Sequence, residues 1–132
     1  VANKQQLGAL ILRVVLGLTF LLHGLDKFQG GIENIVGFFE SIGLPGFLAY
    51  VVGTIELVGG ILLILGLGTR AISFLLMVIM VGATLKVKLA AGFIGGYEFD
   101  LALFTMGLYL ALNGSSMAAV DSLLPYGKKE RA

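Results

Sequence analysis

Apolar residues run on along most of this chain rather than alternating with polar ones. Four stretches stand out: 7–28 (LGALILRVVLGLTFLLHGLDKF), 46–67 (GFLAYVVGTIELVGGILLILGL), 71–89 (AISFLLMVIMVGATLKVKL) and 99–113 (FDLALFTMGLYLALN). A bilayer-spanning helix needs ~20 predominantly apolar residues. The first two stretches meet that length, and the fourth is short but extendable at both ends. Between the first and second lies 32–42, where Ile32, Ile35, Val36 and Phe39 recur at a helical period. This piece is predicted to be a short helix lying in the membrane interface. Pro45 and Gly46 open the second span, proline being tolerated in a first helical turn. Residues 66–69 read as a tight turn between antiparallel neighbours, 92–97 (GFIGGY) as a flexible turn, and 126–132 (YGKKERA) as a polar tail.

Composition turns this pattern into a class. The chain has 132 residues, 58% hydrophobic and 13% charged, with a mean hydropathy of +1.00. Soluble domains carry roughly 25% charged residues. The expected fold is therefore all-α, an integral-membrane four-helix transmembrane bundle forming one domain over 1–132. A net charge of +1 gives no electrostatic basis for nucleic-acid binding. The absence of cysteine excludes disulfides, thiolate metal sites and cysteine redox relays within the chain. With no tryptophan, tyrosine and phenylalanine must supply any interfacial belt. The first span does not read as a cleaved signal peptide. Its apolar run exceeds the usual ~7–15 residues, Arg13 sits inside it, and no small-residue cleavage site follows.

The basic residues set an expected orientation. One side of the membrane would receive Lys4, Arg70, Lys128, Lys129 and Arg131. The other would receive Lys27, Lys86 and Lys88 together with Asp26, Glu33, Glu40, Glu98 and Asp100. The more basic side is the cytoplasmic one, so both N- and C-termini are expected to be cytoplasmic, in a bacterial or archaeal plasma membrane.

Two charges lie at membrane depth, where each costs at least ~2.5–3.5 kcal/mol and normally faces the interior with a partner. Arg13 is roughly 9 Å into the first span and Glu56 roughly 15 Å into the second, at 1.5 Å per residue. An Arg13–Glu56 pair, or a shared water network, is expected. It reads either as a salt bridge that fixes helix pairing or as the charged floor of a substrate pocket. Around the first helix, Arg13, Gly17, Phe20, His23, Gly24 and Lys27 fall on or near one stripe. His23 and Lys27 could bind ligand oxygens or move protons. Equally, His23 could satisfy a neighbouring carbonyl and Lys27 snorkel to water. At the outer ends of the last two spans, Lys86 and Lys88 face Glu98 and Asp100 and are candidates for pairing across 92–97, with Lys86 able to turn inward instead. A single histidine rules out bis-histidine haem ligation in one chain. No metal-ligand spacing, nucleotide loop or Ser–His–Asp arrangement is present.

In order and spacing these features resemble the DoxX family of small four-helix membrane proteins. The first helix carries Arg13, Phe20, His23-Gly24 and Lys27-Phe28. The second carries Glu56, Gly59-Gly60, Leu65-Gly66-Leu67 and Thr69-Arg70. The last begins Glu98-Phe99 and is followed by Gly114 and Asp121. Ser116 and Ala119 stand where the family has a glycine and a serine. The resemblance covers nearly the whole chain. It implies a membrane subunit of an oxidoreductase system, tied to thiol or oxidative-stress defence or to aromatic and quinone detoxification.

Because the chain shows no flavin, haem or metal motif, its redox chemistry would need a bound quinone (menaquinone or ubiquinone) or a soluble or membrane redox partner protein. The leading expectation is a quinone pocket between the first, second and fourth spans, lined by Arg13, Glu56, His23 and Lys27. The alternatives are a non-catalytic membrane anchor for a soluble redox enzyme, and a small-molecule or proton pathway. Glycine-rich helix faces also permit a homodimer in the lipid bilayer.

Overall fold

The computed structural model describes residues 2–88 and 92–123. The polar tail with Lys128, Lys129 and Arg131 lies outside the described residues, as does the side chain of Lys88. Among the described residues the structure is helical, with no strand. Five α-helices follow in order: α1 (Ala2–Gln29), α2 (Ile32–Ser41), α3 (Phe47–Leu65), α4 (Thr69–Ala83) and α5 (Glu98–Asn113). Thr84–Lys88 continues α4 as a wider helical turn, and Val120–Leu123 adds a short 3₁₀ turn after α5. Each apolar stretch read from the sequence is thus a helix, and so is the amphipathic piece between the first two. Three segments, Lys4–Gln29, Phe47–Leu65 and Thr69–Lys86, are long and apolar enough to cross a membrane. At 16 residues α5 is shorter than these.

The helix ends follow local chemistry. Gly66 takes a left-handed conformation (φ 73°), and the Leu67 N–H reaches back to Leu62 O at 2.8 Å. This is the Schellman closure that glycine permits. Gly68 is left-handed as well, so two glycines reverse the chain into α4. At the other end of the molecule, Ile94, Gly95 and Gly96 leave helical geometry and aim the chain into α5. The two ends are called here the termini end (start of α1, end of α5) and the distal end (α2 and the turn at 92–97).

The interior is polar where the surface is apolar. Arg13, Glu56, Thr69, Ser73, Asp100 and Asp121 are buried, whereas Leu7, Ile11, Leu18, Leu22, Phe74, Val78 and Leu112 are exposed. Charges turned inward and leucines outward suit a hydrocarbon surround. An apolar cluster of Leu16, Phe20, Leu63, Leu76, Met80, Leu103 and Leu110 fills the middle.

The tightest seam is α1 against α3. A Cβ added to Gly60 would lie 2.5 Å from Gly17 O and from Leu21 N. One added to Gly24 would lie 2.6 Å from Leu57 N. Glycine is required here because backbone meets backbone and neither can move aside. Gly60→Ala and Gly24→Ala are therefore expected to destabilise the protein by about 1–3 kcal/mol or more from overpacking, read as a lower melting midpoint. Gly82→Ala, where nothing lies within 4 Å, should leave the midpoint unchanged. Equal midpoints for all three would mean that the seam is not close-packed.

This seam also fixes which residues can meet. Gly17 comes level with Gly60, Gly24 with Gly53 and Leu57, and Arg13 with Gly66. Glu56 therefore lies about ten residues before the level that the Arg13 guanidinium reaches at Gly66, roughly 15 Å at 1.5 Å per residue. The expected Arg13–Glu56 pair does not form. Depth measured from a span end does not contain the axial offset between two helices, which the glycine contacts set here.

Candidate functional site

Lys27 stands in the last turn of α1, near the distal end. Its Nζ lies 3.0 Å from Glu56 Oε1 and 3.2 Å from Oε2, the two side chains being 22% and 8% exposed. One turn earlier on α1, the ring of His23 lies with Nδ1 2.8 Å from Thr19 O. A carbonyl oxygen only accepts, so Nδ1 carries the hydrogen and, in the neutral ring, Nε2 keeps its lone pair. The same ring stacks on Phe99 of α5, centroids 5.9 Å apart and planes at 23°. Asp100 is buried beside it, and its Oδ2 accepts a hydrogen bond from the Thr84 hydroxyl at 3.3 Å.

His23, Lys27, Glu56 and Asp100 line one cavity of about 230 Å³. Every α-helix contributes to it: Phe20 from α1, Phe38 and Phe39 from α2, Val52 from α3, Ile79 and Met80 from α4, and Leu103 from α5. The cavity is mostly apolar with a few converging polar groups, the pattern of a small-molecule site. It is broader in origin than a pocket between the first, second and fourth spans, since α2 and α4 also wall it.

The structure thus brings His23, Lys27 and Glu56 together and leaves Arg13 out. Arg13 works at the termini end. Its Nη1 donates to Ser115 Oγ (3.3 Å) and Met117 O (3.0 Å), and its Nη2 to Ala118 O (2.9 Å). Asp121 joins the same arrangement: its carboxylate accepts the Gly68 N–H at 2.9 and 2.8 Å and the Thr69 N–H at 3.4 Å. It thereby supplies to the start of α4 the acceptor that an N-cap side chain normally provides. Gln6 Oε1 holds Ser116 through its N–H and its hydroxyl, at 3.1 and 3.0 Å. The segment after α5 is in this way clasped to α1 and to the α3–α4 turn.

At the outer helix ends the expected pairing can be followed for Lys86, the side chain of Lys88 lying outside the described residues. Lys86 is exposed, and among the described residues it forms no ion pair with Glu98 or Asp100. Glu98 instead accepts the Gly95 N–H at 2.9 Å, and Asp100 turns inward. The sequence carried a signal for this. Asp100, Leu103, Gly107 and Leu110 form the buried stripe of α5 at helical spacing, which places Asp100 with the core residues rather than with Lys86.

These features define an integral-membrane helical protein with a structural clasp at one end and a cavity bordered by an ion pair at the other. The chain belongs to the DoxX family, which it matches over residues 8–89. It is 48% identical over 128 residues to a Bacillus subtilis (strain 168) protein named "Putative oxidoreductase CatD", covering 96% of this chain and 95% of that one. It is 34% identical over 128 residues to an uncharacterized membrane protein of Mycobacterium tuberculosis, covering 86% and 78%. An uncharacterized protein of Haemophilus influenzae is 36% identical over 117 residues, covering 84% and 86%. No solved structure matches the chain significantly.

Proposed function

We propose that this protein is the membrane subunit of an oxidoreductase system and binds the ring of a quinone, or of a similar small aromatic redox molecule, in the distal cavity. In this reading α1, α3, α4 and α5 all cross a bacterial plasma membrane, with the termini end, carrying Lys4 and Arg70, in the cytoplasm. The observation that carries the reading is the Lys27–Glu56 ion pair beside the His23–Phe99 stack, on the wall of an otherwise apolar hollow. A salt bridge needed only to fix helix pairing would be packed shut. This one borders open space.

The donor set fits a quinone ring. The Lys27 ammonium has three N–H donors, and its contacts with the two Glu56 oxygens leave capacity for a ligand oxygen. His23 can pass a proton through Nε2, since Nδ1 is occupied by Thr19. The stacked rings of His23 and Phe99 offer a flat apolar surface. A bound quinone would accept two electrons from a partner redox protein and two protons, becoming the quinol. The apolar cluster around Leu16, Leu63 and Leu110 separates this cavity from the clasp, which argues against a proton or solute pathway through the molecule.

The test is a thermal-shift series on purified protein with menaquinone and ubiquinone analogues. A ligand that binds only the folded state stabilises it by ~2.7 kcal/mol at a hundred times its dissociation constant. The wild type should show such a shift. His23→Ala and Glu56→Gln should lose most of it. No shift with any quinone would leave the chain as an anchor for a soluble redox enzyme.

A further inference from the structure

The ring cavity has a neighbour. Between α4 and α5 lies a second hollow of about 220 Å³, walled mainly by Val81, Leu85, Leu101 and Phe104. It shares Met80 and Asp100 with the first, so the two abut. Its few polar groups cluster at the distal end, where the Thr84 hydroxyl is already bound to Asp100. Leu85, Leu101 and Val81 are 65%, 49% and 43% exposed, so the hollow opens sideways, toward where lipid would lie. From Leu85 down to Met80 on α4, and from Tyr97 down to Phe104 on α5, it runs roughly 7–10 Å at 1.5 Å per residue.

The ring cavity is itself small. Pockets for whole drug-sized ligands run from about 300 Å³ upward, so it takes a ring and little else. Phe38 and Phe39 wall its α2 side, and the core cluster lies beneath it. Met80, which both hollows share, is the side chain that a chain attached to that ring would have to pass, and it is unbranched and can change rotamer without moving a helix.

We infer that the α4–α5 groove holds the first part of an apolar chain whose ring occupies the cavity, making the ligand a chain-bearing, membrane-dissolved quinone and the groove its side entrance from the bilayer. This rests on the reading of the cavity as a ring site. The groove acts by shape. Moving a chain from lipid into protein gains no hydrophobic free energy, but filling the groove leaves the chain nowhere to go once the ring is seated.

The experiment measures dissociation constants on the full chain in nanodiscs for two ligands with one ring: menadione, which has no chain, and a prenylated naphthoquinone. Val81→Trp and Leu101→Trp alter residues that line the groove and not the ring cavity. Both should weaken the prenylated ligand by at least about tenfold and leave menadione within about twofold. Val78→Trp, at an exposed position that lines neither hollow, should bind both as wild type does, and all three variants should keep the wild-type melting midpoint. If both groove variants bind the prenylated ligand as wild type does, the groove assignment is overturned and the ring site stands, ordinary lipid chains then being the occupant. If the groove variants weaken both ligands equally, the groove has no chain-specific role. If wild type binds neither ligand, the ring site falls and the groove with it.

Discussion

Arg13→Ala is expected to destabilise the protein by about 3–5 kcal/mol, the cost of breaking a buried charged network by removing one member. Arg13 is 1% exposed and serves three acceptors on the segment after α5. Without it, the Met117 and Ala118 carbonyls lose their donors at a depth where water does not replace them easily. The segment they belong to also carries Asp121, whose carboxylate caps α4. Loosening it should therefore weaken the start of α4 as well. Arg13→Lys should recover little, because a single ammonium cannot reproduce the planar fork that serves several acceptors at once. Asp121→Ala should also destabilise, by more than the ~1 kcal/mol of a lost cap, because it removes the buried opposite charge of the Arg13 network as well. The double variant Arg13→Ala/Asp121→Ala should cost less than the two singles added, since both act on one network. Melting midpoints in detergent measure all of these. An unchanged midpoint for Arg13→Ala would mean that the clasp holds nothing. Any folded Arg13→Lys protein should keep the wild-type quinone response, because the clasp is separated from the cavity by the apolar cluster.

The helices and the shared face of His23 and Lys27 are legible in the sequence, whereas the partners of Arg13 are not, for a physical reason. Helices of apolar residues announce themselves by length and composition, and their ends by glycine and proline. Position around one helix is equally local, so the stripe carrying His23 and Lys27 pointed to one face, and these two residues share a cavity wall. Partners across helices depend on axial offset. Here that offset is set by close backbone contacts at Gly17, Gly24 and Gly60, which no spacing within one helix encodes. Arg13 and Glu56 are the two deepest charges of opposite sign in the sequence, which makes them an expected pair. Each in fact meets a partner nearer its own end: Glu56 meets Lys27, and Arg13 meets the carbonyls after α5. That second set was hidden because main-chain acceptors in an irregular segment have no side-chain signature. For Asp100 the local charges and the helical period point different ways: Lys86, Lys88 and Glu98 suggest a solvated cluster, while the buried period of α5 carries Asp100 inward.

The Lys27–Glu56 pair should behave asymmetrically when broken. Lys27→Met leaves Glu56, 8% exposed on its side chain, without its cation among apolar neighbours. A cost of about 3–5 kcal/mol is expected, since removing one partner strands the other charge. Glu56→Gln leaves Lys27, which is 22% exposed and in the last turn of α1. Its long stem can carry the ammonium toward the distal surface, so the cost should be smaller. The double variant Lys27→Met/Glu56→Leu removes both charges, and such apolar replacements are often neutral or stabilising. Its midpoint should return close to wild type. Stability and ligand response then separate the two meanings of the pair. If the ion pair serves the ligand, the double variant is stable yet gives no shift with any quinone, because neither the ammonium donor nor the carboxylate is left. If it serves only to join α1 to α3, the double variant is stable and responds as wild type does. That second result would remove Lys27 and Glu56 from the proposed site, leaving His23 and Asp100 as its polar members among the described residues.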